Sequence, residues 1–161
     1  MKRRDFLVTS ALLATTTLLN AKEDNLPWII IEEVFEVLFP KTNNMPSSKE
    51  FGALNYLYQN SKEKSFDKSD LEYLLQGALD FNSSFPLFLK ASKKQKEEII
   101  QEVSLNSYGE SWLSLLIYYG IEAMLSDPIY GGNKNEIGYK ALNFQAGNPK
   151  PKVKYGKING L

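Results

Sequence analysis

Cysteine and histidine are both missing from the 161 residues. Their absence removes a thiolate nucleophile, an imidazole general base, the usual zinc and copper ligand sets, and both the thioether attachment and the histidine ligand of a c-type haem. Carboxylates, Lys, Tyr and hydroxyls are all that remain for chemistry. No disulfide can staple the chain, so its core or a partner must hold it, although that does not argue against export to an oxidising compartment. An excess of charge of either sign is missing too, since nineteen basic side chains face nineteen acidic ones. A nucleic-acid binder needs a positive field to neutralise phosphates, so nucleic acid is not an expected partner. Beyond the amino terminus no segment approaches the roughly 20 apolar residues of a membrane-spanning helix. There is no internal repeat and no low-complexity segment.

What is present suits one packed domain: 43% of the residues are hydrophobic and 12% aromatic, ample for a core at this length. Residues 1–21 have the layout of an export signal. Lys2, Arg3 and Arg4 precede an apolar stretch from Phe6 to Leu19 diluted by Thr and Ser, and Ala21 offers a small residue for cleavage. Arg3, Arg4, Phe6 and Leu7 match the twin-arginine consensus of two arginines, any residue, then Phe-Leu, a route that carries folded proteins. Leu19 occupies a place where a small residue is preferred, so the segment is either removed or kept as a tether. The expected location is the periplasm, peripheral to or tethered at the inner membrane.

Residues 22–126 read as a helical body. From Leu26 to Phe39 the pattern is apolar except for Glu32, Glu33 and Glu36, which share one helical face that is expected to be solvated, and Pro40 ends the helix. Glu32 and Glu36 imitate a catalytic carboxylate pair, but acids on the polar face of an amphipathic helix are ordinarily just that. A second helix is expected around Phe51–Tyr58. Ser69 and Glu72 suggest a capping box opening a helix with the stripe Leu71, Leu74, Leu75, Ala78 and Leu79. Ser92 and Gln95 suggest another, opening a charged surface helix whose inner face is Ile99, Ile100 and Val103. From Trp112 to Leu125 the chain is apolar nearly all round, as expected of a central helix buried by its neighbours.

Residues 127–161 form a carboxy-terminal arm with six of the ten glycines and three of the seven prolines, and no helical or strand period. The body carries ten basic and sixteen acidic side chains, the arm six basic and two acidic. A basic arm can pack on its own acidic body, reach an acidic partner, or do both. Asp127 and Pro128 stop the preceding helix, Gly131 and Gly132 permit positive φ or close approach, and Asn133 tolerates the left-handed region, so Tyr130 is presented beside a tight turn. The stretch is either a docking or ligand-contacting loop or simply a helix stop with a turn. It is not a phosphate-binding loop, and its spacing is wrong for an EF-hand.

Asp127-Pro-Ile-Tyr-Gly-Gly-Asn133, followed by Gly138-Tyr139-Lys140 and Phe144-Gln-Ala-Gly147-Asn-Pro149, resembles the carboxy-terminal signature of the gluconate 2-dehydrogenase subunit 3 family in order and spacing. The likeness extends over the body, through the first helix ending at Phe39-Pro40 and the apolar helix before the signature. Lys134 stands where many relatives have Arg, and Tyr139 where Trp is common. The helical body and the arm read from the residues make a mostly α fold, a small helical domain with a long irregular carboxy-terminal arm, and the family resemblance agrees with that layout. The resemblance further implies a small, non-catalytic subunit that supports assembly, stability or twin-arginine co-export of a glucose-methanol-choline-type flavoprotein. FAD would sit on that large subunit, haem c on a third, membrane cytochrome subunit, and no cofactor or metal on this chain. The translocase is a further expected partner, and an escort that leaves after export is the alternative role. Asp127, Pro128, Tyr130, Gly131, Gly132, Asn133, Gly138 and Tyr139 are the expected partner-binding or structural loop.

Overall fold

The computed structural model describes residues 25–154. Among them are seven α-helices, three short 3-10 turns and no strand, so the chain is mostly α. Residues 25–38 form α1. Ile30, Ile31, Val34 and Phe35 are buried, a stripe at helical spacing, and the helix stops just before Pro40, as the backbone preceding proline requires. The acidic face of α1 is not solvated as expected, because it receives neighbouring elements. Glu33 bridges Lys49 at 3.2 Å and Lys96 at 2.7 Å. Glu36 accepts from the Ser48 hydroxyl and from the Lys49 backbone N–H at 2.8 Å.

The second predicted helix is two, α2 (Ser48–Phe51) and α3 (Ala53–Asn60), divided at Gly52 with φ of 81°. Ser47 and Glu50 form a reciprocal capping box ahead of α2. Helix α4 (Lys68–Ser84) starts before the expected box: Asp67, not Ser69, is the cap and accepts from the backbone of Ser69 and Asp70. A carboxylate there meets the first free N–H groups and the positive end of the helix together. Its buried face is Leu74, Gly77, Ala78 and Phe81, while Leu79 is exposed. The Ser92 and Gln95 box does open α5 (Lys93–Val103), and Ile100 and Val103 face inward.

Helix α6 (Ser107–Leu125), capped by Asn106, packs against α2, α3 and α4. Trp112 is 1% exposed, its indole N–H donating to the Leu74 carbonyl at 3.1 Å, and Phe81 stacks beside it. Leu113, Leu116, Tyr119, Ala123 and Met124 complete the buried face. The opposite face is open: Ile117, Tyr118, Ile121 and Leu125 are exposed. The apolarity of α6 thus serves two surfaces, not one enclosed helix. Among the described residues no helix is long and apolar enough to cross a membrane.

Beyond α6 the chain turns through 3-10 segments at Pro128–Tyr130 and Lys134–Glu136 into the short α7 (Ile137–Ala141). These elements are too short to produce a period in the sequence. Lys154 then ion-pairs with Glu63 at 3.6 Å, and Lys150 with Glu136. Two arm lysines therefore meet acids, one on the body and one within the arm.

Candidate partner-docking site

The turn after α6 is built from side chains that satisfy its backbone. The Asp127 carboxylate accepts from the Ile129 N–H at 3.0 Å, and Pro128 occupies the first position of the 3-10 turn, where a missing N–H is harmless. Gly131 follows at φ of 94°, a conformation that disfavours any Cβ. Asn55 donates to the Gly131 carbonyl at 2.7 Å, and Asn60 to the Tyr130 carbonyl at 2.9 Å. Both donors lie on α3, so the turn is tied to the body.

Gly132 packs directly on α6: a Cβ there would fall 2.3 Å from the Ala123 carbonyl oxygen. Gly138 does the same one residue further along, 2.1 Å from the Met124 oxygen. Between them Asn133 is wholly buried at φ of 44°. It donates from Nδ2 to the Ser126 carbonyl at 3.0 Å and accepts at Oδ1 from the Gly138 N–H at 2.8 Å. The polar atoms of Asn133 are thus consumed in clamping the arm to the end of α6.

Of the remaining signature residues, Pro128, Ile129 and Tyr130 are half-buried at the surface. Tyr139 rests its ring on Phe144 at 5.1 Å, and burial, reinforced by Asp127, raises its phenol above the ordinary range. Asp127, Asn133, Gly138 and Tyr139 are therefore brought together, whereas Arg3, Arg4, Phe6 and Leu7 lie outside the described residues.

Beside the turn, α3 and α6 enclose a cleft lined by Tyr56, Asn60, Phe66, Tyr119, Glu122 and Tyr130. The Tyr56 hydroxyl donates to Glu122 at 3.2 Å and Tyr119 to Asp70 at 2.7 Å. Burial first, and these carboxylates second, raise both phenols well above the ordinary range, so both keep their protons and serve as hydrogen-bond donors to the carboxylates. Among the described residues no three acidic groups converge where a metal ion could be held.

Tyr56 and Glu122 of this cleft also border the exposed face of α6. Tyr118, Ile121 and Leu125, with Tyr56 and Ser126, line an apolar groove edged by Glu122. Tyr118 is 54% exposed and Ile121 43%. Aromatic and aliphatic side chains of this size on a regular helix offer a fixed apolar surface of the kind that partner chains cover. Sequence reasoning passed over these residues because a helix apolar on every side looks enclosed. The spacing of Ile117, Tyr118, Ile121 and Leu125, opposite the small residues Gly120 and Ala123, was the available signal.

The fold and this groove define a small helical protein that locks its signature turn inward and leaves one apolar helix face outward. The sequence profile of the gluconate 2-dehydrogenase subunit 3 family matches residues 27–147, and the chain belongs to that family. Comparison with curated proteins gives no match, and neither does comparison with solved structures.

Proposed function

We propose that this chain is the non-catalytic small subunit of a periplasmic, FAD-dependent dehydrogenase complex of the gluconate 2-dehydrogenase type. It supports assembly, stability or twin-arginine co-export of a glucose-methanol-choline-type flavoprotein, which carries FAD, while a membrane cytochrome c subunit takes the electrons onward. Membership of the family over residues 27–147 carries this reading. The open face of α6 supports it, because Ile117, Tyr118, Ile121 and Leu125 need a covering surface that the described residues do not supply. In this reading the flavoprotein covers that face, and the Asp127–Asn133 turn fixes the end of α6 that presents it. Arg3, Arg4, Phe6 and Leu7 direct export, and a flavoprotein folded around FAD travels with the chain.

A carboxy-terminally tagged chain, isolated from the envelope of its native host, should bring with it an FAD-containing dehydrogenase. Recovery of the chain alone from the envelope, with the flavoprotein associated only during export, would replace the stable-subunit reading by a transient escort.

A further inference from the structure

Glu122 is the only charged residue between Ser111 and Ser126. It stands with Tyr118, Ile121 and Leu125 at helical spacing, so a lone acid shares the outward apolar face of α6 and lines its groove. Its carboxylate is held in place from two sides. It accepts from the Tyr56 hydroxyl at 3.2 Å, and hydrogen bonding to it is the first cause that raises the Tyr118 phenol above its ordinary range. A neutral amide oxygen would accept from either phenol as well. These bonds therefore explain an acceptor at this position but not its full charge.

Among the described residues no lysine bridges Glu122. Lys154, the one described cation lining the adjoining cleft, lies 3.6 Å from Glu63 instead. Asp70 brings a further negative charge to bear on Tyr118. Glu122 is half-buried, so a surface laid on the groove removes more of its water. A carboxylate covered in that way is costly unless a cation comes with the cover. A wholly apolar partner surface is therefore a poor occupant, and an anionic one is worse. Two copies of the chain packed symmetrically through this face would bury both acids, and the groove offers no cation to either.

We infer that the flavoprotein segment seated on this groove carries an arginine or lysine that pairs with Glu122, flanked by apolar side chains that cover Ile121 and Leu125. This rests on the subunit reading and adds the charge by which the groove tells its partner from other apolar surfaces. Tyr56 and Tyr118 orient the acceptor before the partner arrives, so less ordering is left to the moment of binding. A charge-assisted hydrogen bond between two such groups is stronger than a neutral one and fixes the register of the segment along α6.

The test is the flavin retained per tagged chain for the natural protein and for Glu122→Asp, Glu122→Gln and Glu122→Arg, each isolated from the native envelope as the only copy. Circular dichroism and the thermal midpoints of the free chains check folding. Glu122→Gln keeps the shape and an acceptor oxygen without the charge, whereas Glu122→Asp keeps the charge at shorter reach. Retention should fall from the natural chain through Glu122→Asp to Glu122→Gln, the last about tenfold below the first, and Glu122→Arg should hold no flavin. Retention by Glu122→Gln equal to that of the natural chain would overturn the inference, and retention above it would reveal a partner surface without a cation. More flavin on Glu122→Gln than on Glu122→Asp would leave the carboxylate a role of shape alone and overturn it as well. So would a dimer of the purified natural chain that Glu122→Arg splits on gel filtration, giving the groove to a second copy. Recovery of no flavoprotein by the natural chain would overturn this inference and the subunit reading together, whereas equal recovery across the variants overturns this one alone.

Discussion

Asn133 donates to the Ser126 carbonyl, accepts from the Gly138 N–H, and does both at zero exposure. Asn133→Ala leaves the buried Gly138 N–H and the part-buried Ser126 carbonyl without this partner and should lower stability by about 1–3 kcal/mol, read as a fall in thermal midpoint. An unchanged midpoint would contradict the clamp. Glu33 supplies a second test at this scale. Its hydrogen bond from Lys96, followed in effect by that from Lys49, holds its carboxyl below the ordinary value of 4.5 against the opposing pull of burial. A carboxyl more acidic in the folded chain stabilises it fully above the unfolded pKa, and that contribution disappears as pH falls through the lowered folded value. Glu33→Gln should therefore be less stable than the natural chain at neutral pH, and the difference should shrink on acidification. A constant gap in thermal midpoint across that range would count against the linkage. The sequence announced that Asn133 tolerates a left-handed backbone and that Glu33 lies on the polar face of α1. It could not announce burial of the one or pairing of the other, because Ser126, Gly138, Lys49 and Lys96 come into place only through the turn and the packing of neighbouring helices.

Helix α6 uses one apolar surface to fill the core and leaves another open. Trp112, Leu116 and Ala123 face inward while Tyr118 and Ile121 face out. Ile121→Ser with Leu125→Ser should therefore lower the thermal midpoint only slightly, since neither side chain belongs to the buried core and exposed positions shift stability by about 0.5 kcal/mol each. The same pair should abolish recovery of the flavoprotein with the chain. Loss of both folding and recovery, or of neither, would remove the docking role from this face. At the scale of elements, α1, α5 and the existence of α4 and α6 were legible from apolar periodicity and capping residues. The cap of α4 lies at Asp67 and not at Ser69 because the helix begins two residues earlier, where the Asp67 carboxylate accepts from the Ser69 and Asp70 N–H groups with a full charge. The break at Gly52 was obscured by apolar residues that continue in step across it, from Phe51 to Ala53 and Leu57.

Over residues 25–154 the molecule is a helical body on which the described part of the carboxy-terminal arm folds back, with Lys154 paired to Glu63 and the signature turn tied to α3 and the end of α6. The acid-to-basic change along the sequence foreshadowed such a return, but which lysine meets which carboxylate depends on the path of the arm. Family membership was legible in the signature itself, because glycines that permit close approach and an asparagine that closes a turn must stand at set intervals. The outward apolar face was not legible, since the same side chains read equally well as core. The proposed complex requires this chain to be a retained subunit. The most direct measurement is the ratio of chain to flavin in the tagged assembly purified from the native envelope, determined by flavin absorbance and quantitative mass spectrometry on the same gel-filtration peak. A retained subunit gives one co-eluting peak with a fixed whole-number ratio across preparations. A chain that elutes apart from flavin, or a ratio that drifts towards zero as purification proceeds, would contradict it.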